Sequence, residues 1–177
     1  MYKKLSIILL AASLVMTGLF VSQYVQNHNI KRDLLGQYVI VQHNISGYLN
    51  DAVSCQRSGN KESLIISLQK ASGEFRAVDN IMSLLRRHTS ATDVMYTIHA
   101  SQMAFVTNSV DKAVKDDLSE EDLRRIISFA EAMTHYAGLL DYDALIAGSS
   151  PDQIVSRIDD KLEQTSQLYT GWVLDTK

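Results

Sequence analysis

The chain has 177 residues, 46% of them apolar and 21% charged, a mix that excludes a disordered chain and suits one domain with a short appendage. One proline and eight glycines are too few for a turn-rich β fold. Beyond residue 25 there are 15 basic against 20 acidic side chains and no basic stripe, so little is present to hold a phosphate backbone, and nucleic acid is not an expected partner.

The amino-terminal segment carries the strongest signal. Lys3 and Lys4 precede Leu5 to Val25, 21 residues without a charge. As a helix rising about 1.5 Å per residue, this run covers roughly 30 Å, the thickness of a bilayer's hydrocarbon layer. A cleaved signal peptide is the competing reading. Cleavage needs small residues after the apolar run, and bulky Phe20 two positions before Ser22 disfavours it. No cysteine lies near the end of the run to take a lipid. The expectation is therefore a membrane anchor over residues 1–25 and an exported domain over residues 26–177. Lys3 and Lys4 favour a cytoplasmic amino terminus, placing the domain outside the cytoplasm. Gly18 and Ser22 form a small-xxx-small pair, a weak signal for packing of two anchors.

Helical periodicity runs through the rest. The first segment, residues 27–56, spaces Leu34, Tyr38, Val41, Ile45, Tyr48 and Ala52 by four and three, the seam pattern of packed helices and coiled coils. No proline separates it from the anchor, so one helix can run from membrane into domain. Arg57-Ser58-Gly59-Asn60 is a break. The second helix, residues 61–87, carries Leu64, Leu68, Ala71, Phe75, Val78, Met82 and Leu85. The third, residues 91–115, carries Met95, Ile98, Gln102, Phe105, Ser109 and Ala113. Ser119 to Asp122 reads as a capping box opening a fourth helix, residues 120–147. Its seam is expected along Leu123, Ile127, Ala130, Thr134, Ala137, Asp141 and Ala144, flanked by Ile126, Met133 and Leu140. Glu120/Arg124 and Glu121/Arg125 sit at i,i+4, and Gly148 is placed to end the helix. Ser150-Pro151-Asp152-Gln153 opens a fifth, with Ile154, Ile158, Leu162, Leu168 and Trp172 on its apolar side. The fold class is thus all-α: an N-terminal transmembrane helix followed by an antiparallel bundle of four to five long helices.

Catalytic chemistry finds little support. Ser-x-x-Lys occurs at Ser58, Ser67 and Ser109, which shows how cheap the pattern is, and its partner motifs are missing. No Glu-x-x-His or His-Glu-x-x-His occurs. Met95, His99 and Met103 share a helix face that resembles a soft copper stripe, with Met133 or His135 as a further ligand. Core methionines and a solvent-facing His99 are the plainer reading. Glu131 and His135 pair locally without a nucleophile nearby. Cys55 cannot form an internal disulfide, and a small buried apolar side chain is the expected role, an intermolecular bridge the alternative. Asn44-Ile45-Ser46 matches the glycosylation pattern, but in mid-helix, so no sugar is expected there. Interior Gly36 and Gly47 each cost about 1 kcal/mol relative to alanine; close approach of another helix would explain the cost, but ordinary tolerance of glycine in a well-packed helix is the plainer reading.

No catalytic, cofactor-binding or metal residues are assigned. The expected role is a membrane-anchored extracytoplasmic interaction or accessory module. It would hold the membrane through Leu5–Val25 and bind another envelope protein or itself. The alternatives are a ligand-sensing bundle with a separate signalling partner, or a secreted bundle after signal cleavage.

Overall fold

The structure, a computed structural model, describes residues 2–86, 93–146 and 149–168, backbone only for residues 2–15, 86, 93–95 and 146. It is all-helical, with no strand among the described residues. Six helices follow in order: α1 (Tyr2–Arg57), α2 (Lys61–Arg86), α3 (Asp93–Val114), α4 (Glu120–Leu139), α5 (Tyr142–Ile146) and α6 (Pro151–Leu168). The second half of α1 packs between α2 and α4, α2 continues to α3, and α6 lies against α4, α1 and α3.

α1 is a single 56-residue helix, about 84 Å long. No proline or turn sequence interrupts it. From Met16 to Asn27 every side chain is exposed, and the first fully buried one is Leu35. This stretch of α1, residues 16–27, thus stands clear of the bundle. The apolar run Leu5–Val25 is helical throughout. The side chains of its first part lie outside the described residues, and among the described residues no helix is long and apolar enough to cross a membrane.

The turns follow from local chemistry. α1 ends in a Schellman motif, in which the Gly59 amide donates to Gln56 O at 3.1 Å and the Asn60 amide to Cys55 O at 2.9 Å. Gly59 sits at φ +71°, where a side chain would be strained. Asn60 Oδ1 then caps α2 by accepting from the Ser63 amide at 3.1 Å. α3 ends in the same way with Asp116, φ 60°, in the glycine position. The capping box is present: the Asp122 amide donates to Ser119 Oγ at 3.1 Å and the Ser119 amide to Asp122 Oδ2 at 3.0 Å. Asp122 also bonds Lys112 Nζ at 2.7 Å, tying α4 to α3. Burial alone would raise its pKa, but the bonds from Lys112 and Ser119 prevail and bring it down to about 2. Ser119→Ala is expected to lower stability by about 1 kcal/mol, read as a shifted urea midpoint at unchanged m-value. The second box, Ser150 with Gln153, closes at 2.8 and 3.3 Å.

The seam of α2 is buried at all seven expected positions. That of α4 is rotated from the expectation. Ile126, Phe129, Met133, Tyr136 and Leu140 face the core, whereas Thr134 and Asp141 are exposed. Of the central line only the small Ala130 and Ala137 are buried; the large side chains of the flanking set fill the core beside them. α4 also stops at Leu139 rather than running to Ala147. Asp141 Oδ1 accepts from the amides of Asp143 and Ala144 at 3.0 and 3.2 Å, which opens α5 instead. This turn lays Tyr142 on α1, where a Cβ on Gly36 would meet its ring at 3.0 Å. Gly36 therefore permits close approach, whereas Gly47 has open space around it. Glu121 pairs with Arg124, at i,i+3 and 3.2 Å. Gly148 and Trp172 lie outside the described residues, and Leu168 is exposed rather than apolar-face buried.

Candidate functional site

The polar chemistry of this protein is concentrated inside the bundle. Tyr38 of α1, His99 and Gln102 of α3, and Tyr136 of α4 are all buried, and α6 brings Asp159 close enough for its charge to act on both tyrosines. Helical spacing on three elements directs them to one point: Tyr38 lies in the seam of α1, Gln102 follows His99 by three residues, and Tyr136 follows Met133 by three.

The hydrogen-bond directions can be deduced. Gln102 Nε2 donates to Met133 Sδ at 3.7 Å, which turns Gln102 Oε1 to His99 Nδ1 at 2.8 Å. A carbonyl oxygen only accepts, so Nδ1 carries the imidazole proton and Nε2 is the acceptor. Tyr38 Oη therefore donates to Nε2 at 2.6 Å, and Tyr136 Oη donates to Tyr38 Oη at 2.6 Å. The result is a one-way chain from Tyr136 through Tyr38 and His99 to Gln102. Gln42, fully buried one turn beyond Tyr38, lies close enough to favour the ionised tyrosine slightly but is not aligned for a hydrogen bond.

Burial sets the protonation states. Loss of hydration pushes the Tyr38 hydroxyl well above its usual range, reinforced by Tyr136 and Asp159. Burial likewise pushes Tyr136 up. It lowers His99 to about 4, against a smaller opposing effect from Gln102. Near neutral pH all three are uncharged and far from the range where a group both gains and loses protons readily, so the chain is poised to hold geometry rather than to shuttle protons.

His99 is not open to a copper ion. His99 faces the core rather than solvent, and both its ring nitrogens are engaged. Met133 Sδ accepts from Gln102, and the Met95 side chain lies outside the described residues. Among the described residues no cluster of three or more histidine, cysteine or acidic side chains could hold a metal ion. Cys55 is half-buried rather than buried. It lines an opening of about 220 Å³ at the α1–α2 and α3–α4 turns, with Leu64, Leu118 and Leu123.

Helical periodicity puts Tyr38 and Gln102 on seams but not Tyr136 or His99. A tyrosine seven residues after Phe129 was the available signal for the former. Comparison with protein families, with curated proteins and with solved structures finds no match to this chain.

Proposed function

We propose that this protein is a membrane-anchored, extracytoplasmic helical bundle that acts as an interaction or accessory module rather than as an enzyme. The observation that carries this reading is the continuity of α1. The uncharged run Leu5–Val25 and the core residues Leu35 to Val53 belong to one unbroken helix, with side chains exposed from Met16 to Asn27. Exposed Phe20, Val21, Tyr24 and Val25 are costly in water and at home in a bilayer, where tyrosine sits at the boundary. The lysines at positions 3 and 4 orient the amino terminus to the cytoplasm, leaving the bundle outside. The neutral, fully engaged polar chain in the core supports a structural rather than catalytic role.

Alkaline carbonate extraction of membranes tests it. The full chain is expected to remain in the pellet with its first 25 residues intact by mass spectrometry. Recovery as a soluble chain cut near residue 25 would replace the anchor with a secreted bundle.

A further inference from the structure

The bundle presents one ridge flanked by two grooves on the face of α1 that neither α2 nor α4 covers. Ile40, 61% exposed, stands on the ridge with Gln37. On one side a groove of about 350 Å³ runs along α2, floored by Leu34, Val41, Ile81 and Leu84. On the other a groove of about 420 Å³ runs toward Tyr142, over Gly36 and Val39. Among the described residues, Asp33 is the only charged one lining either.

We propose that this face is the contact between two parallel copies of the chain, related by a two-fold axis along α1. The proposal rests on the membrane-anchored reading above. Three features select a second copy. A ridge beside a groove at the same height is self-complementary, which is what a two-fold interface requires. Two copies anchored in one membrane stand parallel, so the Ile40 of each meets the other's groove at its own level. Finally, the face continues downward. Eighteen residues are five helical turns, so Ser22 lies beneath Ile40 and Gly18 beneath Gly36, and Gly47 continues the line above with open space around it. The small residues let two anchors approach closely.

Area argues that the two parts act together. A patch of half a dozen side chains offers on the order of 400 Å² per partner, about half the ~800 Å² a stable pair buries on each side. The anchors supply the remainder and, by confining both copies to a plane, raise their effective concentration.

Helix axes about 8–10 Å apart would bring facing Cα atoms to about 4–5 Å, within reach of a disulfide. The test is oxidative crosslinking of the full chain in membranes, with Cys55→Ser as background. Ile40→Cys is compared with Gly138→Cys, at an exposed position on α4 with open space. Ile40→Cys is expected to yield about tenfold or more disulfide dimer than Gly138→Cys, as proximity dictates. Equal yields from protein that sediments with membranes would overturn the dimer and leave the anchor standing. Protein that is absent from the membrane pellet would overturn both. Circular dichroism of each variant identifies any loss of fold, and Gly47→Cys, at an exposed position on the same face, then repeats the comparison in the presence and absence of Ile40→Ser.

Discussion

Phe129→Ala is expected to destabilise the bundle by about 4 kcal/mol, the largest effect of any single truncation here. Phe129 is fully buried at the centre of the core. It stacks on Phe75 of α2 with centroids 6.1 Å apart and meets Phe105 of α3 edge-on at 5.0 Å. One ring on α4 therefore holds two other helices. Alanine removes the transfer free energy of the ring and leaves a cavity that three helices cannot close without moving. Phe129→Leu keeps most of the apolar volume and gives up the aromatic pairing, and about 1 kcal/mol is expected. Chemical denaturation of the full chain in mild detergent measures both. A loss below about 1 kcal/mol for the alanine variant would mean that Phe129 is not central to the core.

Acidification produces the second large effect. His99 titrates at about 4 in the folded bundle, against an ordinary 6.5 once unfolded. Above pH 6.5 neither state binds the proton, and stability does not depend on this group. Between 6.5 and 4 the unfolded chain takes up a proton that the folded core refuses, so stability falls as pH falls. The loss approaches about 3 kcal/mol near pH 4 and then levels off. Protonation places a second N–H on His99 against the Tyr38 hydroxyl, which would have to reverse its bond and disturb Tyr136 in turn. Asp122 acts in a separate window. Its folded pKa is near 2, so its contribution is present above about 4 and fades only below that. Unfolding midpoints measured every half pH unit for the parent and His99→Gln test the assignment. The slope between pH 6.5 and 4 should flatten in the variant, and an unchanged slope would place the sensitivity elsewhere.

The contrast between α2 and α4 explains how much could be read from the residues. The α2 stripe alternates cleanly at four and three, with an apolar residue at every step, and its buried face is unambiguous. α4 offers two adjacent lines, one regular in spacing but weak in size, the other carrying Phe129, Met133 and Tyr136. Volume decides burial, and periodicity by itself does not weigh volume. Capping behaved like α2. Ser119, Asp122, Ser150, Gln153 and Gly59 act through neighbours within a few residues, so their geometry follows from sequence order.

What the residues determine alone is what depends on near neighbours: the all-helical class, the two capping boxes, the turn at Gly59, the seam of α2 and the uncharged run at the amino terminus. Tertiary structure decided the rest. His99 reads as a surface residue until Tyr38, 61 positions before it, closes on its ring and is itself met by Tyr136, 98 positions further along the chain than Tyr38. The break at Leu140 follows from a local cap, but its use, laying Tyr142 on Gly36, depends on α1 standing there. Burial is a property of the assembled helices, and desolvation acts only once they meet. The same side chain that is an ordinary imidazole in the sequence becomes, inside the bundle, a neutral link that acid can break.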